Sequence, residues 1–189
     1  MTAQETAHGA NDTDSSHNVV FEAPVETIGD RELVRLPGEA SARLPSRGQV
    51  AARVRLNGSA VAAVVEPDGR RGHWLAIDTG HGLEAGDVVN VEIEPTKDWP
   101  EPEIPDDLGS ALGEATDIAG VWADITPMAR WEWVRWVNAT RNPQTRERRV
   151  EVSISKLRSG KRRPCCFDLS SCTDPELSTS GKLVDPDQT

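Results

Sequence analysis

Tyrosine is absent from this 189-residue chain, phenylalanine and methionine occur twice each, and there are three cysteines. No apolar run approaches the roughly 18–20 residues that a membrane-spanning helix requires, so no membrane span is predicted. The first residues, MTAQETAHGANDTDSSH, lack the basic and apolar segments of a secretory signal, and the expectation is a cytoplasmic protein. Cys165, Cys166 and Cys172 are odd in number and two are adjacent, which excludes a disulfide framework. A zinc site takes about four ligands in spaced pairs, and no histidine follows His81. Reduced thiols without a metal are therefore expected.

Catalytic signatures are missing as well. The chain has no P-loop, dinucleotide fingerprint, nucleophile elbow or HExxH. His73 and His81 are the only histidines outside the N-terminal arm, and no nucleophile lies beside either. Glu84, Asp87, Glu92 and Glu94 fall on turns and the polar face of a strand, as solvated carboxylates do. The reading is a protein that is not an enzyme, with no catalytic residue and no cofactor.

Charge and tryptophan are what the chain does have. The net charge is -10, unevenly spread: residues 1–120 carry 22 acids and 9 bases, and residues 121–164 carry 4 acids and 11 bases. Such asymmetry suggests mutual docking of the two parts or a patch for a charged partner. Four of the six tryptophans lie between Trp122 and Trp136.

Residues 1–18 are polar and predicted to be a disordered arm. From 19 to 95 the pattern is that of short strands. Val50, Ala52, Val54 and Leu56 alternate with Ala51, Arg53 and Arg55, and Asn57-Gly58 is a strong hairpin signal. The return strand carries Val61, Ala63 and Val65, and further strands run from His73 to Ile77 and from Val88 to Ile93. Short strands without intervening helices imply a small barrel. Residues 96–104 are a proline-rich linker or strap. Helices are predicted from 105 to 163, with starts at Pro105, Thr126-Pro127 and Asn142-Pro143 and a stop at Ser159-Gly160. Ala129, Trp133, Trp136, Val137 and Thr140 form one helical face, which leaves Trp131 as the aromatic expected near solvent. Residues 164–189 are again polar and predicted to be a disordered tail. The fold class is α+β, a small N-terminal β-barrel followed by a C-terminal helical domain.

Arg141, Arg146, Arg148 and Arg149 are the candidate anion-binding or domain-docking residues. Arg146 and Arg149 share a helical face, and guanidinium groups so spaced can fork onto carboxylate or phosphate. The first reading has them pair with acids of the barrel or with Asp106, Asp107 or Glu132. The alternative is a nucleic-acid surface completed by Arg162 and Arg163, which the overall acidity weighs against. An interdomain pocket lined by His73 or His81 together with Arg149 would instead favour an enzyme.

The elements Pro105-Asp106-Asp107-Leu108, Trp122, Arg130-Trp131-Glu132-Trp133-Val134-Arg135-Trp136-Val137 and Thr145-Arg146-Glu147-Arg148-Arg149 resemble the bacteriocin-protection, YdeI/OmpD-associated family. Leu36-Pro37, Arg47-Gly48-Gln49-Val50, Asn57-Gly58, Pro67-Asp68-Gly69 and Gly86-Asp87-Val88-Val89-Asn90-Val91 are similar to the small barrel domain of unknown function that often precedes it. The resemblance implies a double-split-type barrel, a helical domain and protection against antimicrobial peptides. Where the family usually has Ser-His ahead of the arginine, this chain has Met128-Ala129, and no histidine role carries over. The expected function is a cytoplasmic, non-enzymatic binding protein whose partner is a cationic peptide or basic protein.

Overall fold

A computed structural model describes residues 18–77, 79–165 and 168–186. The arm expected for residues 1–18 falls outside these apart from Asn18, as does Cys166. Six strands, β1 (Val19–Ile28), β2 (Arg31–Arg35), β3 (Val50–Leu56), β4 (Ser59–Pro67), β5 (His73–Ile77) and β6 (Val88–Pro95), close a barrel in the order β1-β2-β5-β4-β3-β6. A short helix, α1 (Gly38–Ala42), connects β2 to β3. All the pairings are antiparallel. Two strands switch partners to close the barrel. β1 pairs with β6 through Pro24 and with β2 from Val25, and β4 pairs along β3 before meeting β5 only at Glu66 and Pro67.

Period-two patterning explains the interior. Val50, Ala52, Val54 and Leu56 point inward with Val89, Val91 and Ile93, while Arg53 and Arg55 remain exposed. Ala51 is also buried, and its carbonyl accepts from Thr96 N–H at the start of the strap. At the β3–β4 turn Asn57 and Gly58 both take positive φ, the backbone of a tight hairpin that twists with its strands.

Four helices follow the strap: α2 (Asp106–Glu114), α3 (Ala119–Asp124), α4 (Pro127–Asn138) and α5 (Pro143–Arg158). The caps act as their residue types dictate. Thr126 Oγ1 accepts from Ala129 N–H, and Asn142 Oδ1 accepts from Thr145 N–H, each satisfying a donor left free in a first helical turn. Trp133 and Leu157 are fully buried among Ile118, Ile125 and Ala129, while Leu108, Val134, Val137 and Val150 form a second cluster between α2, α4 and α5.

The predicted disordered tail is corrected by the structure. Residues 168–186 carry a hairpin, β7 (Ser178–Thr179) and β8 (Lys182–Leu183), laid on the barrel. Cys172, Leu177 and Leu183 are buried against Ile28, Leu33 and Trp74. Leu183 N–H donates to Asp68 O at 2.9 Å, and Arg35 Nη2 donates to Val184 O. Gly69 has positive φ, and a Cβ there would overlap the Gly181 carbonyl, so glycine is required where the β4–β5 turn meets the tail. Apolar residues too sparse for a core of their own complete one on a preformed barrel face.

Candidate functional site

A cleft of about 1120 Å³ separates the barrel from the helices. Its barrel side is Val61–Val64 of β4 with Leu75 and Ala76 of β5. Its helical side is Trp131, Val134 and Asn138 of α4, and the strap and Thr173–Glu176 of the tail form its edges. Arg135 of α4 is the charged group that joins these parts. Its side chain is 5% exposed, and it bridges Glu66 at 3.4 Å across the domain boundary. Its Nε donates to Thr173 Oγ1 at 3.1 Å and its Nη2 to Ser171 O at 3.0 Å. Burial pushes the Glu66 carboxyl above its usual range, although Arg135 and the donor Gln49 Nε2 pull it back down.

Domain docking therefore falls to Arg135, and the four arginines singled out from the sequence have other environments, with Arg141 and Arg146 on the cleft lining. Arg146 forks onto Asp107 through Nε (2.6 Å) and Nη2 (2.9 Å) and also reaches Asn138 Oδ1 (2.9 Å). Its pairing holds the Asp107 carboxyl below the usual range. Arg149 meets no carboxylate among the described residues: Nη1 donates to Trp136 O at 2.7 Å, and its guanidinium lies 5.6 Å from the Trp136 ring centroid. Arg148 is exposed and pairs with Glu151 within its own helix. Arg141 is exposed on the cleft margin. The Arg146–Asp107 pair is one of those expected from the sequence, and the contacts of Arg148 and Arg149 likewise stay within the helical domain, so among the described residues none of the three pairs with a carboxylate of the barrel. Arg162 pairs with Asp124, and Arg163 pairs with buried Glu132, so the two arginines expected to complete a nucleic-acid surface are also engaged by carboxylates.

Trp131 is half-buried rather than free. Its Nε1 donates to Pro100 O at 2.7 Å, fastening α4 to the strap, and its ring faces the cleft. Arg130 makes a second fastening, a bidentate pair with Glu101 at 2.7 and 2.8 Å, with further bonds to the carbonyls of Trp122 and Ala123. Sequence reasoning missed Arg135, because its spacing on α4 does not set it apart from the exposed arginines, and apolar Val134 beside it packs with Leu108, Val137 and Val150 inside the helical domain.

One nucleophile–base contact exists that local sequence could not show. Ser41 Oγ lies 2.7 Å from His73 Nδ1, and His73 Nε2 lies 3.1 Å from Gly48 O. A carbonyl only accepts, so Nε2 carries the proton and Nδ1 accepts from the hydroxyl. Both residues are 1% exposed, which keeps substrate from this pair. Burial holds the His73 pKa below its ordinary value. An unfolded chain takes up this proton below about pH 6.5 while the folded one resists it, so the contribution falls as pH drops through that value. The melting temperature is expected to fall from pH 7 to pH 5 more steeply in the parent protein than in His73→Gln, which keeps a donor for Gly48. Glu66 titrates in the opposite sense in both proteins, so the difference in slope isolates His73; equal slopes would exclude this role.

His81 lines the cleft, whereas His73 is sealed away and Arg149 lies outside the lining, so the histidine–Arg149 pocket that would mark an enzyme is not formed. No group of three or more potential metal ligands occurs among the described residues. Cys165 is a free, exposed thiol, and burial pushes the Cys172 thiol up to about 11, leaving it protonated packing material.

Residues 101–160 match the family model for bacteriocin-protection, YdeI or OmpD-associated proteins, and residues 21–93 match the domain of unknown function DUF1905. The helical part of the chain is thus similar to YdeI- or OmpD-associated domains and the barrel to DUF1905. Both parts of the resemblance seen in the sequence are thereby borne out, as is the α+β arrangement of barrel and helices. No curated protein matches the chain. The YdeI- or OmpD-associated domain supplies α4 and the DUF1905 domain supplies β4 and β5, so the cleft lies between the two matched units. Among the described residues no helix is long and apolar enough to cross a membrane.

Proposed function

We propose that this protein is a non-enzymatic binding protein of the cytoplasm that takes cationic peptides, or a basic segment of a protein partner, in the cleft between its two domains. The observation that carries this reading is the balance of charge left over in the cleft. Arg31, Arg135 and Arg146 are each neutralised by Asp174, Glu66 and Asp107. Of the remaining lining residues, Glu103 and Glu176 are exposed carboxylates with no ion pair among the described residues, against the single arginine Arg141. The indole of Trp131 adds an aromatic face to the same cleft, the surface that a lysine or arginine side chain stacks on. Bacteriocin protection, the words of the matched family's description, is served by sequestering a cationic peptide. The exposed free thiol of Cys165 suits a reducing compartment.

Isothermal titration of the full chain with an eight-residue peptide of alternating lysine and valine tests the reading. Binding is expected at low ionic strength, with loss as salt shortens the screening length to about 8 Å near 0.15 M. The double variant Glu103→Gln/Glu176→Gln should bind several-fold more weakly at low salt. Absence of any heat of binding at low ionic strength would overturn the proposal.

A further inference from the structure

The β-barrel has one weak seam, and the cleft opens on it. β4 meets β5 only at Glu66 opposite Trp74 and Pro67 opposite His73. Continuing that register would place Val65 opposite Leu75, Val64 opposite Ala76 and Ala63 opposite Ile77, and none of these pairs forms. On its other side β4 is paired with β3 at every residue from Ser59 to Val65. In an antiparallel strand alternate residues direct N–H and C=O to opposite sides. The stretch Val61–Val64, which lines the cleft, therefore offers main-chain donors and acceptors that no strand among the described residues takes up.

Three features make this edge a receptor for a strand. Natural edges are commonly guarded by charged side chains, proline or a bulge, yet Ser59-Ala60-Val61-Ala62-Ala63-Val64-Val65 contains no charge and no proline. Ala62 is exposed, and Val61, Ala63 and Val64 are half-buried, so the edge is reachable and small enough for a backbone to approach. The helical domain and strap stand across the cleft, so a chain laid along this edge is enclosed on its far side.

We propose that the edge of β4 binds an extended peptide by adding it to the barrel as a further strand, with main-chain hydrogen bonds supplying affinity and the rim carboxylates Glu103 and Glu176 selecting basic side chains. This rests on the peptide-binding reading above and specifies how the ligand is held. Side chains on one face of the added strand lie over Val61 and Ala63, and those on the other face reach toward the helical domain.

Three forms of the lysine–valine peptide, titrated into the full chain at low salt, test the mode of binding. One is unmodified, one is N-methylated at its odd-numbered amides, and one at its even-numbered amides. All three carry the same charge. Strand addition predicts that one methylated form binds about tenfold or more weakly, since it cannot donate to β4, while the other keeps the parent affinity. Equal affinity of all three, or equal loss in both methylated forms, would overturn strand addition and leave peptide binding itself standing. If none of the three binds, the binding reading fails and strand addition with it.

Discussion

Replacement of Arg135 by alanine is expected to cost about 3–5 kcal/mol of folding stability, the range for removing one partner of a buried ion pair. The size follows from what is left behind. Glu66 would be desolvated without its guanidinium, and Thr173 Oγ1 and Ser171 O would each lose their donor. The damage should be directional. Arg135 binds both the barrel carboxylate and the tail, so hydrogen exchange should speed up in residues 168–186 while β3 and β6 keep their protection. Paired replacement, Arg135→Met with Glu66→Gln, removes both charges and should recover more than half of the loss. Urea denaturation of the three proteins measures this directly. A cost below about 1 kcal/mol for Arg135→Ala would mean that the pair is solvent-screened and does not clamp the domains.

Trp133→Ala should be of similar size for a different reason. The indole is 0% exposed, meets Trp136 edge-on at 6.0 Å, and donates through Nε1 to Arg162 O at 3.1 Å. Truncation leaves a cavity among Ile118, Ile125, Ala129 and Leu157, and large-to-small changes of this kind cost about 3–5 kcal/mol. The carbonyl of Arg162 also loses its donor, which loosens the exit from α5. Trp133→Phe refills most of the volume and should cost clearly less. Denaturation monitored by far-ultraviolet circular dichroism gives the comparison. The prediction fails if alanine and phenylalanine variants unfold at the same denaturant concentration.

These two residues show unequally well in the sequence. Trp133 stands on the stripe Ala129, Trp133, Trp136, Val137, and helical periodicity alone marks it as core. Arg135 lies between two tryptophans on the same helix, and nothing in its spacing distinguishes it from the exposed Arg148. Its partner Glu66 sits at the end of a strand in the other domain. Which arginine meets which carboxylate depends on how barrel and helices dock, and that docking is not encoded in either local pattern. The same reason explains Arg149, for which a carboxylate was expected and a carbonyl and an indole ring were found.

Local physical chemistry, legible in the sequence alone, determined the elements themselves. Alternating apolar residues made the strands, Asn57-Gly58 made the hairpin, and Thr126-Pro127 and Asn142-Pro143 began α4 and α5, since each feature acts within a few residues of itself. Tertiary structure alone decided the rest. It folded a polar tail onto the barrel, because Leu177 and Leu183 find an apolar face only once Trp74 and Leu33 are in place. It brought Ser41 to His73 and Arg135 to Glu66. It also left β4 unpaired along the cleft, because the closure of a barrel and the gaps in it depend on how distant strands register, which no local spacing can express.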